Sequence, residues 1–147
     1  MIKTLIALLM SAPVLFADSL PIKIEKAWLQ AVPPVASDTA AFMKIQNLGQ
    51  TSIKLVGGIS AIATNVQPMI ITIQKHDGHK MLGMESVPAF EIPPGGTLEL
   101  KPGGDHLMLI GLKSHPNEGD RVKIVLRFSP GDQQVDVEAA VLKQEPK

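Results

Sequence analysis

The fold is decided by the stretch Ile92-Pro93-Pro94-Gly95-Gly96-Thr97-Leu98-Glu99-Leu100-Lys101-Pro102-Gly103-Gly104-Asp105-His106-Leu107-Met108. Its two proline–glycine groups are typical of turns, because these residues are the strongest breakers of regular structure. The four residues between the groups alternate polar and apolar side chains, as a strand with one buried face does. The stretch therefore predicts turn, strand, turn and a further strand.

The same organisation extends over the rest of the chain. Turn signals recur at short intervals at 33–34, 47–49, 57–58, 77–78, 116–119 and 130–132. Segments between them alternate or are rich in β-branched residues, as at 22–25, 122–128 and 135–138. Many short strands with glycine and proline between them predict an all-β sandwich or barrel.

His106 and Met108 are candidate metal ligands. Residues i and i+2 of a strand project from the same face, so the imidazole and the thioether lie side by side while Leu107 and Leu109 face the other way. This pairing suits Cu(I), and Met84, 22 positions upstream, is a second thioether. A plainer interpretation is that the methionines fill the core and the histidine lies in a turn or on the surface.

Asp77-Gly78 is a strong signal for a two-residue hairpin turn, which would pair His76 with His79. One face of this hairpin would carry Met69, Ile71, Ile73, Leu82 and Met84, and the other Thr72, Gln74, His76, His79 and Met81. In this register Met69 lies diagonal to Met84, within reach of a shared ion. Both histidines lie on the opposite face.

Residues 27–128 resemble the periplasmic copper chaperone family PCu(A)C. The matching phrases are Ala31-Val32-Pro33-Pro34, Ala40-Ala41-Phe42-Met43-Lys44-Ile45-Gln46-Asn47, Lys54-Leu55-Val56-Gly57-Gly58 and above all the run 92–113. The resemblance implies a single domain with a cupredoxin-like Greek-key β-sandwich and a Cu(I) site that includes Met84, His106 and Met108. It also implies a metallochaperone that passes copper to an acceptor, such as the copper centre of a terminal oxidase.

The chain departs from the family pattern at Met69, which stands where the family usually has its first histidine. Met69 is either a fourth ligand or core filler. Alternatively, His76 or His79 folds back from the hairpin tip and supplies the missing imidazole. In a third interpretation the tip histidines are solvated turn residues.

Three other residues have simpler interpretations. Met43 is expected in the core, and His115, which precedes a proline in a loop, is expected to be exposed. Trp28 is expected to pack in the core or to cap the site, because a large aromatic side chain has much apolar area to bury.

Residues 1–17 have the order of a secretory signal peptide, with Lys3, an apolar stretch and small residues up to Ala17. We therefore expect a mature domain of residues 18–147 in the periplasm. The apolar stretch is too short for stable insertion into a membrane. The chain contains no cysteine, so we expect a soluble product without lipid attachment, disulfides or a thiolate metal site.

Fourteen basic residues balance fourteen acidic ones, and no basic stripe supports binding to nucleic acid or to an anionic membrane. The group His76, Asp77 and His79 lies on one turn without a nucleophile, so an enzyme is not expected. We expect a monomeric Cu(I) chaperone. The alternative is a metal-free periplasmic interaction domain that has lost the site.

Overall fold

The computed structural model describes residues 20–147, which form ten strands. The strands are β1 (Ile22–Gln30), β2 (Asp38–Asn47), β3 (Ile53–Ile59), β4 (Ala63–His76), β5 (His79–Ser86), β6 (Phe90–Ile92), β7 (Thr97–Leu100), β8 (His106–Leu112), β9 (Arg121–Ser129) and β10 (Gln133–Leu142). Within this range no helix has the length and apolar character that crossing a membrane requires. The predicted signal peptide, residues 1–17, lies outside the described residues.

Seven of the strands close into a circuit in the order β4-β8-β2-β1-β10-β9-β3. The circuit closes because β3 pairs again with β4, through Gly58 and Val66. All paired strands run antiparallel except β1 and β10, which are parallel. The prediction of an all-β sandwich is confirmed.

Inward-facing side chains of these strands form one hydrophobic core. Leu29, Ile45, Leu107 and Phe128 are fully buried in it, and Met43 is buried there as predicted. Burial of each large apolar side chain contributes about 1.5–3 kcal/mol relative to exposure. Because Leu107 points into this core, its neighbours along β8 project from the outer face of the sheet.

The stretch around β7 contains two turns of the same kind, at 93–96 and 101–104. In each, the last N–H donates to the first carbonyl, at 2.8 Å and 3.0 Å respectively. The third residues, Gly95 and Gly103, have φ of 71° and 76°, and a proline precedes each of them. Proline followed by a residue with positive φ is the pattern of a type II turn, in which glycine is the favoured third residue.

The second of these turns does not reverse the chain. β7 and β8 both pair with β2, at Met43–Gln46 and Asp38–Ala41 respectively. Residues 101–105 leave the edge of β2 between these two segments, and the Lys101 N–H donates to the Asp105 carbonyl at 3.0 Å. The loop therefore lies beside Phe42 and ends just before His106, the first residue of β8.

A β-bulge in β1 decides which side chains of that strand face inward. The register with β2 shifts by one residue between Glu25 and Trp28, and Lys26 has a positive φ of 52°. Ile24 lies on the inner face before the bulge, and Leu29 lies there after it. The extra residue therefore moves Trp28 to the outer face, where it pairs with Phe42.

β4 and β5 extend beyond the sandwich as a two-stranded arm, residues 70–85. β4 pairs with β8 only as far as Met69, which lies opposite the first residue of β8. The predicted hairpin register is confirmed, with His76 paired to His79 and Ile71 to Met84. The face of the arm that includes Ile71 and Met84 thus lies next to the start of β8.

Candidate metal centre

His106 is the first residue of β8 and is only 5% exposed. Its ring Nδ1 lies 2.9 Å from the carbonyl oxygen of Gly104. A carbonyl oxygen can only accept, so Nδ1 carries the proton and donates it. The type II turn at 101–104 fixes this carbonyl, which in turn fixes the tautomer and orientation of the ring.

The other ring nitrogen of His106, Nε2, therefore keeps its lone pair. It has no hydrogen-bond partner among the described residues. It is nevertheless not a fully buried polar atom without a partner, so it can be reached from the solvent. Metal-binding histidines usually have this arrangement, with one nitrogen donating to a carbonyl or carboxylate and the other free for the metal.

Two thioethers share a surface cavity of about 460 Å³ with this imidazole. Met108 lies two residues along β8, opposite Ala40, whose small side chain leaves room beside it. Met84 enters from the arm and is 55% exposed. The complete lining is Gln30, Val32, Asp38, Thr39, Ala40, Phe42, Ile71, Met84, Pro102, Gly103, His106 and Met108. The structure thus brings three of the four predicted site residues together.

Met69, the fourth predicted site residue, lies directly across from His106 in the β4–β8 ladder. Residues opposite each other in an antiparallel pair project from the same face, with Cβ atoms about 4.5–5.5 Å apart. Met69 is half-buried and does not line the cavity itself. Met69 is therefore a neighbour of the imidazole, and Met69 itself lies to one side of the cavity.

Two aromatic rings lie beside the imidazole, on the neighbouring strands β2 and β1 of the same sheet face. The ring centroids of Phe42 and His106 are 6.3 Å apart, and those of Trp28 and Phe42 are 4.6 Å apart. Both aromatic residues are buried but belong to the outer face of the sheet. Trp28 consequently packs against Phe42, which lies between it and His106, and is not part of the central core cluster.

The remaining histidines lie elsewhere. His76 and His79 pair at the tip of the arm, on the face opposite to Met84, and both are exposed. The prediction that His115 is exposed is wrong. It is half-buried, and its Nε2 donates to the Ala36 carbonyl at 2.6 Å, a contact between two loops that no local sequence pattern indicates.

A larger cavity, of about 740 Å³, lies between the first halves of β1 and β10. Its lining includes Ile22, Ile24 and Val135 but no histidine or methionine. In residues 20–147, histidine, aspartate and glutamate nowhere form a group of three that could hold a metal ion. A copper site with three or more side-chain ligands in the described chain therefore includes at least one thioether.

Comparison with known proteins places this chain in a family. The family described as "Putative lipoprotein LpqE-like" matches residues 22–141. The chain belongs to this LpqE-like family. A relative from Leifsonia xyli subsp. xyli, Lxx21020, carries the same lipoprotein description and is 37% identical over 110 residues, or 75% of this chain. The matched region spans 63% of the length of that relative.

Solved structures similar to this LpqE-like chain include PCuAC domains, the family that the sequence resembles. The copper-bound PCuAC domain from PmoF2 matches with a TM-score of 0.67 and 25% identity, over 86% of this chain and 94% of that one. The Cu(I) form of DR1885 from Deinococcus radiodurans matches with a TM-score of 0.64 and 37% identity, over 86% and 82%. The expected PCuAC resemblance and the β-sandwich are both confirmed.

Proposed function

We propose that this chain is a periplasmic metallochaperone that holds one Cu(I) ion at His106 and transfers it to an acceptor protein. The observation that carries the proposal is the hydrogen bond from Nδ1 to Gly104, which leaves Nε2 free on a residue that lines the same cavity as Met84 and Met108. The likeness to the Cu(I) form of DR1885 and to the copper-bound PmoF2 domain supports copper as the cargo.

Met69 is proposed as the fourth ligand. It lies opposite His106, and the register of the arm puts it on the same face as Met84. The tip histidines lie on the other face, five residue pairs further along the arm from Met84. At about 3.3 Å per residue this is about 17 Å of strand, so a tip histidine would reach the ion only if the arm folded back.

The chemistry of this ligand set fits a carrier that must release its cargo. Thioethers are neutral and soft, so they bind Cu(I) without adding negative charge. The chain has no cysteine, and blue-copper electron carriers use a cysteine sulfur as a principal ligand. Met84 is largely exposed, so an acceptor could approach the ion from that side.

The acceptor in this proposal is a copper protein such as the copper centre of a terminal oxidase, and the chaperone acts as a monomer. The arm supports a direct contact, because the face that carries Met84 also carries the exposed side chains of Ile73 and Leu82. Apolar side chains next to a transfer site can exclude water when the two proteins meet.

The proposal of a periplasmic location starts from residues 1–17, and the comparisons support export. The order of a positive charge, an apolar stretch and small residues is that of a secretory signal. The family and the Leifsonia relative share a lipoprotein description, and lipoproteins are exported. An intact-mass measurement on the native product should show a chain that begins near Asp18.

A metal-free interaction domain is the second candidate. The observation that favours it is the exposed apolar face of the arm, where Leu82 is 77% exposed. Exposed apolar surface of this kind often marks an interaction site. This candidate predicts that the purified protein does not bind Cu(I) more tightly than its variants do.

Titration with Cu(I) against a chromophoric competitor separates the two candidates. The mature chain should take up one tightly bound Cu(I), and the triple variant Met84→Leu, His106→Phe and Met108→Leu should lose it. Met43→Leu removes a core thioether and serves as the matched control, with unchanged binding expected. Equal Cu(I) affinity in the native chain and the triple variant would refute the chaperone proposal.

A further inference from the structure

The tip of the arm contains a second group of copper-binding residue types. The turn residues Asp77 and Gly78 have φ of 49° and 77°, which is the pattern of a type I′ turn. This tight turn sets His76 directly opposite His79. Their Cβ atoms are therefore about 4.5–5.5 Å apart, with both side chains on one face.

Met81 belongs to the same face, because it lies two residues beyond His79 along β5. The order His79-Lys80-Met81 thus repeats the order of His106-Leu107-Met108. In the arm, however, the histidine of this order is exposed and pairs with a second histidine, whereas His106 is a single buried ring. The side chain of His76 is 80% exposed and Met81 is 58% exposed, so a hydrated ion can reach them directly.

We propose that His76 and His79 form a second, solvent-exposed copper site, with Met81 as a weaker third donor. The site is suited to Cu(II). Imidazole binds Cu(II) well, and among the divalent first-row ions copper forms the most stable complexes with a given set of nitrogen ligands. Water completes the coordination of the ion, and the Asp77 carboxylate, 3.6 Å from His76 Nε2, adds a negative charge nearby.

The tip site is independent of the cavity at His106. It lies on the opposite face of the arm, about 17 Å along the strands from the level of Met84. This separation exceeds the Debye length of about 8 Å at physiological ionic strength. The lysine pair Lys75 and Lys80 lies on the face of Met84. Salt screens the repulsion between these exposed lysines and a cation at either site. One chain should therefore hold two copper ions at once.

Cu(II) binding to the variant Met84→Leu, His106→Phe and Met108→Leu tests the tip, because this variant lacks three of the four ligands proposed for the cavity, including its one imidazole, and keeps only the thioether of Met69. Equilibrium dialysis should find one Cu(II) per chain, and electron paramagnetic resonance should show hyperfine coupling to two imidazole nitrogens. Adding His76→Ala or His79→Ala should weaken binding by at least about tenfold, since loss of even an outer-shell partner of a ligand costs about 10–100-fold.

His115→Ala in the same background is the matched control and should not alter Cu(II) binding, because its Nε2 already donates to Ala36. The exposed tip histidines can be replaced without disturbing the core, and circular dichroism would verify this. Equal Cu(II) binding with and without the tip histidines would overturn the proposal. An unchanged spectrum in Met81→Leu would remove the thioether from the site.

Discussion

Replacing Gly103 with alanine should weaken Cu(I) binding through a residue that does not touch the ion. Gly103 has a φ of 76°, and a Cβ built on it has no other atom within 4 Å. The cost is therefore one of backbone conformation alone, about 1–2 kcal/mol for an L-residue in the left-handed region. A turn that relieves this strain moves the Gly104 carbonyl and with it the acceptor for His106 Nδ1.

Gly95→Ala is the matched control. Gly95 holds the same position in the turn at 93–96, with a φ of 71° and open space around its Cβ, but it does not line the cavity. Urea unfolding of the copper-free proteins should show that both variants lose about 1–2 kcal/mol of stability.

Only Gly103→Ala should lose Cu(I) affinity, by about 10–100-fold, the usual effect of disturbing a group that orients a metal ligand. Competition with a chromophoric Cu(I) ligand measures this difference. Equal Cu(I) affinity in the two alanine variants, at equal loss of stability, would refute the argument that the turn orients the imidazole.

Three further predictions test the proposed ligands and the assigned faces of the strands. Met84→Leu should weaken Cu(I) binding while Met43→Leu leaves it unchanged, as a competition assay would show. Leu107→Ala should lower the free energy of unfolding by about 2–5 kcal/mol. Leu82→Ala, on the exposed arm, should change it by no more than about 0.5 kcal/mol. Equal effects of the two variants in urea titration would contradict the assigned faces. The logarithm of Cu(I) affinity should fall in acid with a limiting slope of about one proton per ion, because His106 is the one imidazole in the proposed site; a slope of about two would place a second imidazole there.

Local features of the fold could be predicted from the sequence. The register of the arm follows from Asp77-Gly78, because a two-residue turn fixes which residues face each other. The common face of His106 and Met108 follows from strand alternation over three residues. Both depend on neighbours in the chain and on nothing further away.

Features that depend on distant pairing could not be predicted. Met69 lies opposite His106 because β4 pairs with β8, and no short sequence pattern sets that register. The bulge at Lys26 exchanges the faces of Trp28 and Leu29, since one extra residue inverts the alternation of everything beyond it. The contact of His115 with its carbonyl acceptor likewise forms only when two loops meet.

X-ray absorption of the mature chain loaded with one Cu(I) tests the central claim most directly. The proposed site of Met69, Met84, His106 and Met108 predicts three sulfur scatterers and one nitrogen scatterer around copper, and Met69→Leu should reduce the sulfur count to two. A first shell with two nitrogens, or one without sulfur, would contradict the site proposed here.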